Sequence, residues 1–291
     1  MPKFNDVKEL SAYKTVFGQL QTPFYFYDTE LLRCTVSEIV NLSRKYGIDV
    51  RYAVKANVED RLLRIISEAG LGADAVSGNE VAKASECGFP RNKIVFAGVG
   101  KTDAEIRNSL DIEAFNVESL QELEVIDQIA GGAGAVANVS LRINPGVDAH
   151  THKFITTGLE ANKFGLVPEE FDAAVSLVGR LRNIRFTGLH FHIGSQIMDV
   201  ESVYSQECSR AKEIADYFIG RGLCIEHIDL GGGLGVDYLN PDRHPVPDFE
   251  SWFRTVANGM AGWHGVRLMV EPGRSVVAEC GSLITKVLYI K

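Results

Sequence analysis

The sequence predicts an α/β fold, a (β/α)8 barrel of the TIM type, from three observations. From Asp49 onward, short apolar runs alternate with amphipathic stretches of helical length, which is typical of βα units around a parallel sheet. Eight alternations occupy about 225 residues, close to the roughly 250 residues of such a barrel. The Gly-rich turn follows the seventh strand and not the first, which disfavours a doubly wound sheet.

Each predicted strand is an apolar run bounded by turn residues or by a helical pattern. Helices are predicted after most strands. The predicted strands are residues 50–56, 73–77, 94–98, 114–117, 140–144, 186–194, 227–231 and 268–271. The predicted helices include residues 59–69, 79–87, 103–110, 119–129, 169–178 and 200–220.

The two ends of the chain lie outside this pattern. Residues 24–28 (FYFYD) predict a strand that leads into a helix over 29–46. Residues 281–291 predict a strand that has no partner strand after it in the sequence, and a strand needs neighbours. We therefore expect an N-terminal segment (1–28) with a strand of a β domain, the barrel (29–280), and the start of a truncated C-terminal β domain (281–291).

Composition excludes several classes of partner. The 291 residues carry a net charge of −8 and no basic block, which argues against a nucleic-acid surface or a polybasic membrane anchor. No apolar run approaches the roughly 20 residues that span a bilayer, and residues 1–10 lack the apolar core of a signal peptide. The five cysteines form no C-x-x-C pair and predict reduced, buried thiols. We expect a cytoplasmic protein.

Lys55 ends the run RYAVKAN, and the two-residue period of a strand points it into the barrel at the C-terminal mouth, where barrel active sites lie. A lysine there can have a lowered pKa and form a Schiff base. A snorkelling lysine at a strand end is the alternative. His190 and His192 alternate in FTGLHFHIGS, so both should face the interior, with His192 nearer the mouth.

Two H-x-H pairs, at 190/192 and at His150/His152, leave a metal-dependent hydrolase open as another function. Such a site also needs a supporting carboxylate and a third ligand at matching strand ends. Neither is evident in the sequence. We therefore predict no metal site.

The loop after the seventh strand lies where barrels often bind phosphate. Its glycines would let backbone N–H groups approach an anion, although a tight turn without a ligand is the alternative. They are Gly231, Gly232, Gly233 and Gly235. The eighth strand ends in LMVEPGR, in which Glu271 lies beside the mouth and Arg274 is suited to phosphate or carboxylate; an internal salt bridge is the alternative.

These signals together place a lysine, a histidine, a phosphate loop, an arginine and a carboxylate at one barrel mouth. Pyridoxal 5'-phosphate needs all five. The lysine bonds its aldehyde, the glycines and the arginine hold its phosphate, and an aromatic face covers its ring. The carboxylate keeps the pyridine nitrogen protonated, so that the ring acts as an electron sink.

Several segments resemble a known family. They are YAVKAN (52–57), DAVSGNE (74–80), LRINPGVDAHTHKFITTG (141–158), NKFG (162–165), HFHIGSQI (190–197), GGGLGVDY (231–238) and EPGR (271–274). They resemble the barrel-type, fold-type III pyridoxal-phosphate decarboxylases related to alanine racemase, and among them the diaminopimelate decarboxylase family. HTHKFITTG, NKFG and GGGLGVDY are the specific part, because ornithine and arginine decarboxylases usually differ there.

The resemblance implies roles for single positions. Lys55 is similar to the lysine that bonds the cofactor, His192 to the histidine stacked on its ring, and Glu271 to the partner of the pyridine nitrogen. Positions around the cofactor are implied at Asp74, Glu80 and Arg142, and phosphate-binding positions at Ser195, Gly233, Gly273 and Arg274. Arg274 is also implied in substrate binding.

The implied reaction is decarboxylation at the D centre of meso-2,6-diaminopimelate, giving L-lysine and CO2 in the last step of lysine biosynthesis. Racemases of this superfamily have an arginine at the ring nitrogen, so Glu271 favours decarboxylation.

This sequence departs from the family at its end. Family members continue into a C-terminal β domain that supplies a tyrosine and a cysteine to the active site, the cysteine across the interface of a homodimer. The printed sequence stops at Lys291, and none of its cysteines lies in a matching region. A barrel that binds pyridoxal phosphate without catalysis and a decarboxylase of another basic amino acid therefore stay open as alternatives.

Overall fold

The computed structural model describes residues 13–147, 164–241 and 243–291. Eight parallel strands, β2 to β9, form a closed barrel in chain order, and β1 and β10 form a separate two-stranded sheet. The strands are β1 (Phe24–Tyr27), β2 (Ile48–Ala53), β3 (Gly72–Ala75), β4 (Ile94–Phe96), β5 (Ala114–Val117), β6 (Ala137–Arg142), β7 (Ile184–His190), β8 (His227–Asp229), β9 (Arg267–Val270) and β10 (Gly281–Ile284).

The helices follow the strands around the barrel. They are α1 (Lys14–Phe17), α2 (Thr29–Tyr46), α3 (Asp60–Glu68), α4 (Gly78–Glu86), α5 (Asp103–Arg107), α6 (Leu120–Gly132), α7 (Phe171–Arg180), α8 (Val200–Ile219), α9 (Phe249–Gly259) and α10 (Arg274–Val277). Within the described ranges, no helix combines the length and the apolar content needed to cross a membrane.

The predicted barrel is confirmed, with all eight predicted strands in place. The bounds differ most at β7, which is Ile184–His190 and not 186–194. β2 ends at Ala53 and not at residue 56, because Val54–Ala56 form a 3-10 turn. The barrel closes where β9 pairs in parallel with β2.

The helix before the barrel shows how local sequence sets an element. Asp28 caps α2 by accepting hydrogen bonds from the backbone N–H groups of Glu30 and Leu31. The helix ends at Gly47, whose φ of +66° is in the left-handed region that glycine favours. Its bounds match the helix predicted over 29–46.

The two-stranded sheet joins the two ends of the described chain. β1 and β10 pair antiparallel, from Phe24 opposite Ile284 to Tyr27 opposite Gly281. The strand predicted over 281–291 thus extends over Gly281–Ile284, and its partner precedes the barrel in sequence. The assignment of these segments to a β domain stays a prediction.

The barrel interior is unusually polar. Alternate strand residues face inward, and buried polar side chains bond across the interior, as Ser140 Oγ does with His227 Nε2 at 2.9 Å. The opposite faces are apolar and pack under the helices, where Tyr52 and Leu189 are fully buried. Buried polar groups need partners. The charged side chains inside the barrel are therefore expected to form pairs near the mouth.

Gly232→Ala is expected to lower the free energy of unfolding by about 3 kcal/mol, because overpacking at a site without room to relax is costly. A Cβ atom at Gly232 would collide with the backbone carbonyl of Glu271. Urea unfolding would measure the change. The matched control is Gly179→Ala in α7, where a Cβ atom has open space and helix propensity should add about 0.5–1 kcal/mol. Equal stabilities of the two variants would contradict this prediction.

Candidate active site

A cavity of about 610 Å³ opens at the C-terminal mouth of the barrel. Its lining includes seven residues that the sequence singled out, which lie far apart in the chain: Lys55, His192, Ser195, Gly233, Glu271, Gly273 and Arg274. Tyr27 of β1 and Ser282 of β10 complete one wall. The two-stranded sheet therefore forms part of this cavity, which the sequence did not indicate.

A larger cavity of about 810 Å³ lies beside it, between the start of α8 and α9, and both cavities share Leu234. None of the residues described in its wall is a lysine. We assign the candidate active site to the smaller cavity, because the predicted chemical groups converge there.

Lys55 lies in the 3-10 turn after β2 and not on the strand itself. Its ammonium pairs with the buried carboxylate of Asp74, while 44% of its side chain stays exposed in the cavity. Burial disfavours its charged form, but Asp74, Glu271 and Glu80 outweigh burial and raise the pKa of Lys55 above its ordinary value. The predicted lowered pKa is therefore wrong for this arrangement, in which Lys55 is an ammonium group.

Asn57 fixes the turn that carries Lys55. Its backbone oxygen accepts a hydrogen bond from Tyr52 at 3.1 Å, and its side-chain nitrogen donates to the Tyr27 hydroxyl at 3.1 Å. Its Oδ1 accepts from the backbone of Glu59 at 2.9 Å. These contacts connect the turn to β1, which sequence reasoning did not find.

His192 lines the cavity opposite this turn. The backbone N–H of Gly232 donates to its Nδ1 at 3.3 Å and so orients the ring. Burial, helped by the charges of Arg142 and Lys55, holds the pKa of His192 well below its usual range. The ring is therefore neutral at physiological pH.

The Gly-rich loop differs from its prediction. The Gly231 N–H donates to Asp229 at 2.9 Å, and the Gly232 N–H is engaged by His192, so neither is available to an anion. A Cβ atom at Gly231 would collide with the carbonyl of Phe191. The structure thus does not support the predicted cofactor contacts of Gly231 and Gly232, whose lack of a side chain permits close strand packing. Of the four glycines of this loop that the sequence singled out, Gly233 lines the cavity.

Arg274 lies at one end of the cavity. Its Nη1 donates to the Tyr238 hydroxyl at 2.5 Å and its Nη2 to Ser195 Oγ at 3.4 Å. Its buried Nε has no partner among the described residues. A guanidinium and two hydroxyl groups thus converge there and can bind an anion. Tyr238 lies in the GGGLGVDY segment but was not singled out from the sequence.

Glu271 lies deeper in the cavity. Its Oε2 is 3.1 Å from His190 Nε2, and burial, with the charge of Asp74, raises the pKa of Glu271 to about 8. Burial lowers the pKa of His190 to about 4. The sequence showed no carboxylate matched to the histidines, yet polar atoms of Asp229 and Glu271 both lie within 4.8 Å of His190. Asp229 faces inward on β8 and could have been found from the two-residue period of that strand.

The two histidines of the first H-x-H pair have different surroundings. His190 contacts Glu271, whereas His192 lines the cavity. His150 and His152 lie outside the described residues.

The remaining predicted positions lie behind the cavity wall. Arg142 Nη1 pairs with Glu118 Oε1 at 2.6 Å, and both side chains are buried. Glu118 also accepts the backbone N–H of Gly165 at 3.0 Å, which the sequence gave no sign of. Glu80 accepts the N–H of Val76 at 2.8 Å. These contacts place Glu80 and Arg142 as supports of the loops and not as cavity-lining groups.

Comparison with known proteins agrees with this geometry. The sequence model of the pyridoxal-dependent decarboxylases, pyridoxal binding domain, matches residues 35–278. Diaminopimelate decarboxylase of Bacteroides thetaiotaomicron is 51% identical over 278 residues, which cover 94% of this chain and 72% of that protein. The enzyme of that name from Aquifex aeolicus is 38% identical over 290 residues, covering 98% of this chain and 66% of that protein.

Solved structures place the fold in the same group. Diaminopimelate decarboxylase from Helicobacter pylori, complexed with L-lysine, has a TM-score of 0.85 at 36% identity, over 96% of this chain and 70% of that one. The arginine decarboxylase of Paramecium bursaria Chlorella virus has a TM-score of 0.78 at 22% identity, over 94% of this chain and 70% of that one, and shares the fold. The chain therefore belongs to the diaminopimelate decarboxylase family of pyridoxal-dependent decarboxylases.

Proposed function

We propose that this chain is a pyridoxal-phosphate-dependent carboxy-lyase that converts meso-2,6-diaminopimelate to L-lysine and CO2. The observation that carries the proposal is one cavity that holds Lys55, a buried Glu271 and the Arg274 guanidinium. Relatives at 36–51% identity are named for this activity. The reaction is the step that yields lysine in its biosynthesis.

The residues present fit the cofactor. The cavity volume lies within the roughly 300–1,000 Å³ of small-molecule sites. Two buried polar atoms of cavity-lining residues, Arg274 Nε and Glu271 Oε1, lack a partner among the described residues. The first can serve an anionic phosphate and the second a protonated ring nitrogen. The partly exposed side chain of Lys55 lies in the same space.

When bound, pyridoxal phosphate supplies a ring that accepts the electron pair left by the departing CO2. The chain's own residues bind the cofactor and orient it. Lys55 Nζ is the group that bonds the cofactor aldehyde, and Arg274 with Ser195 holds the phosphate. His192 presents a neutral aromatic face, and Glu271 holds a proton at the ring nitrogen.

The test is lysine formation by the purified chain with added pyridoxal phosphate, with meso-diaminopimelate, L-arginine and L-ornithine as substrates. Lysine and CO2 from meso-diaminopimelate alone are expected, and none without the cofactor. Turnover of arginine or ornithine instead would favour the decarboxylase of another basic amino acid. Cofactor bound through Lys55 without turnover of any substrate would favour the non-catalytic barrel.

Tyr238→Phe is expected to raise the Kd for pyridoxal phosphate about fivefold, the effect of losing about 1 kcal/mol of hydrogen bonding. The hydroxyl of Tyr238 holds Arg274 in place, and its loss leaves the guanidinium less ordered. Titration of the cofactor by absorbance measures Kd. Tyr289→Phe, at an exposed position, is the control. Equal Kd values in both variants would rule out the role of Tyr238.

Three implications of the family resemblance remain proposals. They are a homodimer, a cytoplasmic location, and the membership of residues 1–28 and 281–291 in a β domain. Analytical ultracentrifugation of the purified chain would test the first. A single species with the mass of one chain would argue against it.

A further inference from the structure

A pair of buried acids lies below the candidate site. Asp229 and Glu271 are 1% and 4% exposed, and a carboxyl oxygen of one lies within 4.8 Å of a carboxyl oxygen of the other. As carboxylates, however, both can only accept. Asp229 Oδ2 and Glu271 Oε1 have no donor among the described residues. A proton on Asp229 Oδ2 turns that atom into a donor to Glu271. Because each carboxylate oxygen has two lone pairs, Glu271 Oε1 can still accept from a bound cofactor.

The surrounding charges do not compensate two carboxylates. The groups that face the pair come from every element packed against it: Arg51 (β2), Asp74 (β3), Lys55 (the turn after β2), Arg142 with Glu118 (β6 and the end of β5), His190 (β7) and Glu207 (α8). The three cations are already paired, Lys55 with Asp74, Arg142 with Glu118 and Arg51 with Glu113. His190 is neutral at physiological pH, since burial lowers its pKa to about 4. Two ionised carboxylates in contact would therefore leave a buried charge unpaired, which is costly.

We infer that Asp229 and Glu271 share one proton at neutral pH, and that Asp229 is a positioning residue for Glu271. Asp229 carries the proton and donates it in a hydrogen bond to Glu271. This hydrogen bond opposes the effect of burial by lowering the pKa of Glu271, so it favours the ionised form. It also fixes the carboxylate in the orientation in which it would face the ring nitrogen of a bound cofactor. The role of Glu271 toward the ring nitrogen rests on the proposed function, whereas the shared proton is a property of the chain without cofactor.

Asp229→Asn tests the acidic proton of Asp229 separately from the hydrogen bond that Asp229 donates to Glu271. An asparagine amide is an isostere of a protonated acid and can still donate to Glu271, but it carries no acidic proton. Infrared spectroscopy of the purified chain without added cofactor, at pH 7, should show the carbonyl band of a buried carboxylic acid. That band should be absent from Asp229→Asn.

Glu207→Gln is the matched control, because Glu207 is a second fully buried acid whose pKa burial raises well above its usual range. Its own band should disappear in that variant while the band of Asp229 remains. Retention of every carboxylic acid band in Asp229→Asn would overturn the inference. A stoichiometric divalent cation in the purified protein would also overturn it, because the cation would then compensate the pair.

Thermal unfolding gives a second readout. Burial and the neighbouring acid raise the pKa values of both Asp229 and Glu271, so the folded chain holds a proton that the unfolded chain has lost at neutral pH. Stability contributed by the shared proton is present at low pH and falls as the pH rises through the raised folded pKa of the pair. The Tm of the cofactor-free chain should therefore fall between pH 7 and pH 9, and less so in Asp229→Asn. Identical slopes in the two proteins would contradict the shared proton.

The positioning role has its own test in the cofactor-loaded protein. Asp229→Ala should lower kcat about tenfold relative to Asp229→Asn, with little change in KM, because loss of a supporting contact typically costs 10- to 100-fold. Rescue by asparagine but not by alanine distinguishes positioning from a loss of fold. Equal kcat values in both variants would overturn this role. The infrared and thermal results need no turnover, so they stand or fall separately from the proposed function.

Discussion

Lys55→Ala is expected to abolish cofactor-dependent lysine formation, with kcat lower by roughly three orders of magnitude or more, the scale on which loss of a covalent catalytic group acts. Lys55 is the amine that the structure places in the cavity with Glu271 and Arg274. Borohydride treatment should add the mass of reduced cofactor to the unmodified chain and not to the variant. Both lysine yield and protein mass would be measured.

The loss must be separated from damage to the fold, because removing Lys55 leaves the buried carboxylate of Asp74 without its partner. Lys55→Arg keeps the positive charge beside Asp74 but cannot form the covalent bond. It should retain a Tm close to that of the unmodified chain and still lack activity. Lys45→Ala, at an exposed position on α2, should retain activity. Lysine formation by Lys55→Arg within tenfold of the unmodified chain would refute the covalent role.

The barrel could be predicted from sequence because each strand is a local apolar pattern and the pattern repeats eight times. The end of β2 could not, because it depends on contacts made by distant residues. The Ala53 N–H bonds to the carbonyl of Pro272, and Asn57 holds the following turn against β1. A local pattern contains no information about either contact.

The candidate site likewise has parts that the sequence predicted and parts that it did not. Lys55, Glu271 and Arg274 could be placed at the mouth because each lies at the C-terminal end of a predicted strand or directly after it. The pKa direction of Lys55 was wrong, since it is set by Asp74 on the neighbouring strand. Glu118 was missed because its role comes from Gly165, 47 residues away.

Glu271→Gln is expected to lower kcat about 10²- to 10³-fold, the usual cost of removing one preorganised electrostatic partner from an active site. A glutamine keeps the shape of Glu271 and its contact with His190, but it carries no negative charge. It cannot hold a proton at the ring nitrogen as an ion pair, so the ring becomes a weaker electron acceptor. Steady-state lysine formation measures kcat.

Because Lys55 is untouched, Glu271→Gln should still gain the mass of reduced cofactor after borohydride treatment. Glu271→Gln should therefore keep cofactor attachment and lose electron withdrawal by the ring. Lys55→Ala should lose both. Glu213→Gln, at an exposed site on α8, is the control for loss of one negative charge. A kcat within threefold of the unmodified chain would mean that Glu271 does not act on the ring nitrogen, and its buried position next to Asp229 would then be structural.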